Sequence, residues 1–570
     1  MRKWHYRPMT ARLRAWLLRL FEDEPESPHA PVPRELAWLG AIVVLALALR
    51  FLGLRLGLPY FHHWDEVLVT SSARGMLERG DDLPGNYFYG APIMRLTVFA
   101  WKAARALHVP LPFGGDFRDE VALRWVGRPV VATLAASGTL ATYLAARWTF
   151  RRGAAALFAA LSFACAAELV WHARYLVTDA SVVALTAWTI AFSAGYVARR
   201  TLVLAALAVL AAGLAFSFKL TGLATVLLPI GALVLRPPRG LARAGDVPAA
   251  ALALAHRALL AATVPIVFVT FLRLNPHVRD QWRVAFDQFE GIARHYREGH
   301  VKPFAEREAG LPHVLAAFGF LATQAFATSL LGSLAWFSAA AGGVALAVRR
   351  ARLPIVLALV HAIAVVVAMA WPNRAYLTRM YLPALPVLCL GLGLAAAELL
   401  ALLRGGARTG VALSLVALLA GPAFAQSIAC ERGAIDTRVR AIDLVASRAR
   451  GRDVTVALSP AVAGGLALGG HGAIRAWLAR PGVRVLPDVT TEAAAAASGA
   501  DYVVSASYRD LAKIWPYEEQ WSFRGAPGYT VAAEFGSNPY EERYDLQPTW
   551  DGHVSAIVLE RRASAATEPP

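Results

Sequence analysis

Residues 353–371 read LPIVLALVHAIAVVVAMAW, a run in which no side chain carries a permanent charge. Three arginines, Arg349, Arg350 and Arg352, stand directly before it. A helix rises about 1.5 Å per residue, so about 20 apolar residues are needed to cross about 30 Å of hydrocarbon. The stretch therefore predicts a transmembrane helix with a basic flank.

The composition of the whole chain agrees with a membrane protein. The 570 residues are 57% hydrophobic and 17% charged, which is more apolar side chain than one soluble core absorbs. The formal net charge is +17, but the arginines occur in short clusters between apolar runs rather than along one polar face. This pattern is typical of membrane orientation, and we expect membrane lipids rather than nucleic acid as partners.

About eleven apolar runs are long enough to be transmembrane helices. Alternate connections between them are rich in arginine, and loops of this kind stay on the cytoplasmic side. The N-terminal basic arm (1–35) is predicted on that side, whereas two long loops (58–126 and 273–327) and the segment 428–570 are predicted outside. The runs in the membrane domain (36–427) are 36–57, 127–148, 154–171, 180–198, 201–217, 220–235, 250–272, 328–348, 353–371, 381–402 and 409–427.

The segment 428–570 has a different pattern, with short strand-like stretches between helix-like ones. It predicts a soluble, external α/β domain. A glycine-rich stretch, Gly464-Gly465 with Gly469-Gly470, matches no phosphate-binding fingerprint, so a structural turn is favoured over a binding loop. The predicted strands are 454–458, 483–486, 502–505, 529–535 and 554–559, and the predicted helix is 435–450.

Two adjacent carboxylates, Asp65 and Glu66, follow the first apolar run. A carboxylate that is partly desolvated at the membrane surface can accept a proton from a hydroxyl group at neutral pH. The alternative is an ordinary solvated loop. The pair is therefore a candidate catalytic site.

Further charges lie at the predicted external ends of later spans. Arg174 and Asp179 share one short turn, where Asp179 could instead be the favourable N-terminal anion of the next helix. Cations are rare on the external side, so four residues are exceptions to the orientation rule: Arg174, Lys219, Arg374 and Arg379. A lipid phosphate would satisfy them, and snorkelling to the interface is the alternative for each.

In their order along the chain, these motifs resemble the GT-C superfamily of polytopic glycosyltransferases. The branch is the one similar to dolichyl-phosphate-mannose protein mannosyltransferases and bacterial lipid A aminoarabinose transferases. The resemblance covers about residues 36–405, and the residue before the acidic pair is Trp64 where many relatives have proline. The matching positions are Asp65-Glu66, Arg174 with Asp179, Lys219, Gly299-His300, and Arg379 with Tyr381 and Pro383.

The resemblance implies a GT-C fold and a polyprenyl-phosphate-sugar donor. Asp65 would be the general base that deprotonates an acceptor hydroxyl, with Glu66 and Asp179 orienting groups around it. The reaction would be inverting and need no metal, although some GT-C branches use a divalent cation and the sequence leaves this open. The implied donor-binding residues are Arg174, Lys219, His300, Arg374, Arg379 and Tyr381.

Two other classes of function remain open from the sequence. A lipid or sugar transporter or flippase would also have many spans, but its charges would lie near the middle of the membrane. A non-catalytic scaffold would leave the acidic pair unexplained. The sugar and the protein, lipid or glycan acceptor are not readable from the sequence. The arginine-alanine bias predicts a bacterial inner membrane protein with a cytoplasmic N-terminus and a periplasmic C-terminal domain.

Overall fold

The structure is a computed structural model. It describes residues 16, 32–58, 63–85, 87, 89–110, 120–237, 247–299, 306–432, 437–449, 452–459, 462, 482–486, 489–508, 525–535 and 554–562.

Helices dominate the described residues up to 432. In chain order they are α1 (Pro33–Phe51), α2 (Trp64–Arg79), α3 (Ala91–Ala106), α4 (Glu120–Phe150), α5 (Gly153–Cys165), α6 (Ala167–His172), α7 (Asp179–Arg199), α8 (Leu202–Phe218), a first 3₁₀ helix (Leu220–Val226), α9 (Leu227–Leu235), α10 (Val247–Leu274), α11 (Pro276–Asp280), α12 (Trp282–Glu298), α13 (Leu311–Thr323), α14 (Leu330–Arg349), α15 (Leu353–Ala370), a second 3₁₀ helix (Thr378–Ala384), α16 (Leu385–Ala401) and α17 (Gly405–Arg432).

The fold is that of an α-helical polytopic membrane protein. Within the described residues, seven helical segments are long and apolar enough to cross a membrane, and four shorter apolar helices accompany them. The first predicted span, 36–57, is the helix α1, but the helix ends at Phe51 and is not one of the seven. The apolar helix α13 lies inside the stretch predicted as the loop 273–327, for which no span is predicted from the sequence.

The chain forms two compact units, the first made of residues 1–51, 83–93 and 130–425. Its helices α14 and α16 pack backbone against backbone, because a Cβ atom on Gly343 would lie 1.8 Å from the carbonyl oxygen of Gly391. Small residues at such crossings are typical of helix packing in membranes. A larger side chain at either glycine would push the two helices apart.

Two breaks in the helical backbone shape the first unit. The helix α5 ends at Cys165, and Ala166 has the extended torsion ψ of 115° before α6 begins. Arg50 of α1 donates hydrogen bonds to the carbonyl oxygens of Phe163 (3.2 Å) and Ala164 (2.9 Å), which satisfies the end of α5. Irregular backbone at membrane depth requires such internal partners. The second break is at Lys219.

The second unit consists of residues 52–82, 94–129 and 426–570. Its C-terminal part is the predicted α/β domain, with five strands in the order β2-β1-β3-β5-β4. The strands β2, β1 and β3 are parallel, whereas β5 is antiparallel to β3 and β4. The elements are α18 (Thr437–Arg448), β1 (Val454–Leu458), β2 (Val483–Leu486), α19 (Glu492–Ala497), β3 (Tyr502–Tyr508), β4 (Tyr529–Phe535) and β5 (Val554–Arg561).

Alternation along the strands builds an apolar core on each face of this sheet. Val456 and Val504 belong to the core that includes residues of α18, whereas Ala457 and Val503 belong to the core that includes Ala495 of α19. The five predicted strands are confirmed, and β3 and β5 extend further at their C-terminal ends than predicted. The glycine-rich stretch from Gly464 lies outside the described residues.

Candidate functional site

Three of the predicted site residues meet in the first unit. Lys219 Nζ donates a hydrogen bond of 2.7 Å to Oδ1 of Asp179, and Arg379 Nε lies 3.9 Å from Oδ2 of the same carboxylate. Asp179 and Lys219 are 40 positions apart in the chain, and Lys219 and Arg379 are 160 positions apart, so only the fold brings them together. We call Asp179, Lys219 and Arg379 the charged triad.

The backbone break at Lys219 places the ammonium group of the triad. Lys219 is extended (φ −159°, ψ 142°) between α8 and the first 3₁₀ helix. Asn275 supports the break, since its Nδ2 donates to the carbonyl oxygen of Ser217 at 3.2 Å. The amide of Gly90 donates to the carbonyl oxygen of Phe218 at 3.2 Å, and a Cβ atom on Gly90 would clash with Ser217. The side chain of Lys219 is therefore held by a well-supported backbone.

The second 3₁₀ helix carries Arg379, and aromatic residues fix it. Tyr381 donates to Nε2 of His313 at 2.6 Å, and Nδ1 of His313 contacts the carbonyl oxygen of Asn373 at 2.7 Å. Burial raises the pKa of Tyr376 to about 12, so its hydroxyl stays protonated and donates to the carbonyl oxygen of Ala316 at 3.2 Å. These bonds anchor the segment on both sides of Arg379.

The triad presents its cations rather than its carboxylate to solvent. The side chain of Asp179 is 2% exposed, whereas those of Lys219 and Arg379 are 10% and 15% exposed. Two cations therefore lie beside one carboxylate, and both are more exposed than it is. Such an arrangement suits an incoming anion, because charge-assisted hydrogen bonds to phosphate are strong and guanidinium groups match its geometry.

The other predicted donor-binding residues have different surroundings. Arg174 is fully buried, and its Nη2 donates to the carbonyl oxygen of Leu49 at 3.4 Å. Arg374 is half exposed and lies 3.5 Å from Glu306. Tyr381 is fully buried and bonded as described. His300 lies outside the described residues.

The acidic pair lies in the second unit, where Glu66 has a buried partner. Both oxygens of Glu66 accept hydrogen bonds from Arg128, at 2.8 and 2.7 Å, and both side chains are 0% exposed. Arg128 also donates to the carbonyl oxygens of Leu54 and Leu56. This network holds the start of α2 against the preceding turn and against α4. Glu66 therefore fixes the position of the first turn of α2, which contains Asp65.

Asp65 differs from its neighbour in exposure. Successive residues on a helix point about 100° apart, so the anchoring of Glu66 turns Asp65 away from the buried side. Its side chain is 17% exposed. His63 is the N-cap of α2, and its Nδ1 accepts a hydrogen bond of 3.1 Å from the amide of Asp65. The helix N-terminus favours the ionised carboxylate, which is the form a general base requires.

The Glu66–Arg128 pair leads to a prediction about stability. Replacing Arg128 by methionine removes the cation that donates to both oxygens of a buried carboxylate, so the free energy of unfolding should fall by about 3–5 kcal/mol. Thermal unfolding of the purified protein in detergent measures the change. Arg74→Met is the matched control, because Arg74 pairs with Glu78 on the same helix α2 but both side chains are exposed. Equal effects of the two substitutions would contradict the anchoring role.

Sequence reasoning missed several residues that support the site. Arg50, Arg128 and Glu168 are buried charges within or beside apolar runs, and an ionisable residue there is a signal for a specific partner. His172 lies 3.4 Å from Glu168 on α6, in the turn that contains Arg174. Asn275 carries no charge, and nothing in its sequence context indicates its bond to the broken helix.

Similar folds exist among solved structures, although no protein-family model and no curated protein sequence matches the chain. ArnT from Cupriavidus metallidurans, bound to undecaprenyl phosphate, is 17% identical with a TM-score of 0.46, and the match covers 94% of this chain and 99% of that one. The Archaeoglobus fulgidus oligosaccharyltransferase is 13% identical with a TM-score of 0.48, covering 87% and 72%. The Pmt1-Pmt2 protein O-mannosyltransferase complex of S. cerevisiae is 20% identical with a TM-score of 0.33, covering 46% and 35%. These likenesses concern the fold alone.

Proposed function

We propose that this protein is a membrane glycosyltransferase. It transfers a sugar from a polyprenyl-phosphate carrier to an acceptor hydroxyl on the external face of the membrane, with inversion at the anomeric carbon. The observation that supports this most is the charged triad, in which Lys219 and Arg379 flank one buried carboxylate and are both more exposed than it is. The polyprenyl carrier is inferred from the sequence resemblance.

The chemistry needs a base and stabilisation of the leaving group. Asp65 takes the proton of the acceptor hydroxyl, whose oxygen forms a bond to the anomeric carbon. The bond between that carbon and the phosphate oxygen breaks, and its electron pair leaves with the lipid phosphate. Lys219 and Arg379 stabilise the charge that develops on this phosphate, which is the role of preorganised cations. The scheme uses no metal ion.

The remaining predicted residues take supporting roles in this scheme. Glu66, held by Arg128, positions Asp65, and Asp179 orders the two cations of the triad. Arg174 and Tyr381 are buried and bonded within the fold, so we assign them to positioning rather than to direct donor contact. Arg374 is half exposed and stays a candidate for donor contact. His300 stays a prediction from the resemblance.

A transporter of lipid-linked sugar is the second candidate. The breaks at Ala166 and Lys219 favour it, because discontinuous helices form the binding sites of many secondary transporters. In both functions the triad would bind phosphate. Only the glycosyltransferase breaks the bond between sugar and phosphate.

One experiment separates the two candidates. Purified protein is reconstituted into liposomes with undecaprenyl phosphate carrying radiolabelled mannose, glucose or 4-amino-4-deoxyarabinose. Lipid A, hydroxyl-bearing peptides and simple glycosides are supplied as acceptors. A glycosyltransferase moves the label to an acceptor and leaves undecaprenyl phosphate. Movement of intact labelled lipid between leaflets, with no cleavage for any donor, would favour the transporter and overturn the proposal.

A further inference from the structure

Buried polar atoms without a hydrogen bond are concentrated beside the charged triad. Within the described part of the chain, five such side-chain atoms belong to His172, Thr178, Asp179 and Ser181, which we call the polar turn. Native proteins satisfy nearly all buried polar groups, and each exception calls for a partner such as a ligand. The atoms are His172 Nδ1, His172 Nε2, Thr178 Oγ1, Asp179 Oδ2 and Ser181 Oγ.

His172 contributes an imidazole to this turn. The residue is 4% exposed and ends the short helix α6, and its Nε2 lies 3.4 Å from Oε2 of Glu168. His172 also interacts electrostatically with the carboxylate of Asp179, so it belongs to the surroundings of the triad. A neutral imidazole offers one donor and one acceptor. It can therefore donate to one hydroxyl group and accept from another.

Thr178 and Ser181 contribute hydroxyl groups on either side of Asp179. Both residues are 0% exposed. Thr178 is the N-cap of α7, a position where threonine usually accepts a bond from the helix backbone, but its side chain makes no such bond. A buried hydroxyl without a hydrogen-bond partner is energetically unfavourable, so these two groups destabilise the fold unless something binds them.

We propose that the polar turn binds the hydroxyl-bearing sugar of the lipid-phosphate donor, while Lys219 and Arg379 bind its phosphate. This inference rests on the proposed function and deepens it. The sugar is bonded directly to the phosphate, so groups that recognise it have to lie next to the phosphate-binding cations. The polar turn meets this requirement, since it contains Asp179 of the triad. Its neutral donors and acceptors match hydroxyl groups, whereas the triad matches a charge.

A comparison of two lipids tests the inference. Binding of undecaprenyl phosphate and of undecaprenyl-phosphate-mannose or -glucose is measured on the full-length protein in detergent. His172→Phe and the double variant Thr178→Val with Ser181→Ala should bind the sugar-free lipid like wild type. Binding of a sugar-linked lipid should weaken about tenfold, as expected for the loss of one or two buried hydrogen bonds.

Thr189→Val is the matched control. Thr189 is also a fully buried threonine on α7, but its hydroxyl donates to the carbonyl oxygen of Leu185 at 2.9 Å. This variant should bind both kinds of lipid like wild type. Thermal unfolding confirms that each variant is folded.

The outcomes distinguish this inference from the proposed function. Selective weakening of the sugar-linked lipid supports the inference. If wild type binds undecaprenyl phosphate through Lys219 but the polar-turn variants bind every lipid equally well, the inference is wrong and the proposed function stands. Equal weakening of both lipids would also overturn the inference, because it would indicate a structural role. If the wild-type protein binds neither undecaprenyl phosphate nor its sugar-linked forms, both the inference and the proposed function are wrong.

Discussion

Replacing Asp65 by asparagine should lower the rate constant of sugar transfer by about 10²- to 10⁴-fold, the range of a lost general base. Asparagine has nearly the same shape but does not accept the proton of the acceptor hydroxyl. The hydrogen bond from the Asp65 amide to His63 and the anchoring of Glu66 by Arg128 do not involve the Asp65 side chain. Asparagine also keeps a polar atom at the position of Oδ2, which lies 4.0 Å from Nδ1 of His63. Donor affinity and thermal stability should therefore be unchanged. Steady-state transfer assays and lipid binding on the same preparations measure both quantities.

Asp81→Asn is the control for this substitution. Asp81 follows α2, pairs with Arg79 at 2.9 Å and is exposed, so the same change of atoms there should leave transfer unchanged. Transfer by Asp65→Asn at the wild-type rate would remove Asp65 from the mechanism. A parallel loss of stability would instead indicate that Asp65 supports the fold.

The second large effect is expected at Lys219. Lys219→Met removes the ammonium group that bonds Asp179 at 2.7 Å and would neutralise the leaving phosphate. Loss of one preorganised group of this kind lowers kcat by about 10²- to 10³-fold. Affinity for undecaprenyl phosphate should fall as well, because one of the two cations of the triad is gone. The kinetics of transfer and the binding of undecaprenyl phosphate are both measured.

Two further variants sharpen this prediction. Lys219→Arg keeps the charge and should recover part of the affinity for undecaprenyl phosphate. Lys102→Met makes the same change at an exposed position of α3 and should have no effect. If Lys219→Met and Lys102→Met bind undecaprenyl phosphate equally well, the triad does not bind phosphate.

The helices and strands were largely predictable from the sequence, because apolar runs and alternating strands are local patterns. The breaks at Ala166 and Lys219 were not, since hydropathy does not register a change of backbone torsion inside an apolar segment. The helix α13 was also missed. It is only 13 residues long, so it falls below the length that identifies a span.

For the site, the residue types could be predicted from the sequence, whereas their partners could not. Asp179, Lys219 and Arg379 were named as separate charges at the ends of three spans, and their contact depends on the fold. The role of Arg128 also depends on the fold, because its partner Glu66 is 62 positions away in the chain. The orphaned atoms of the polar turn depend on burial, which a single sequence does not specify.

The most direct test of sugar transfer is the stoichiometry of donor cleavage by purified protein. Undecaprenyl phosphate carrying a labelled sugar is supplied with an acceptor to which the protein transfers the label. The released undecaprenyl phosphate and the glycosylated acceptor are both quantified. We expect one undecaprenyl phosphate to be released for each sugar transferred, an inverted anomeric linkage, and loss of both products in Asp65→Asn. Cleavage that retains the anomeric configuration, or that continues unchanged in Asp65→Asn, would contradict this expectation.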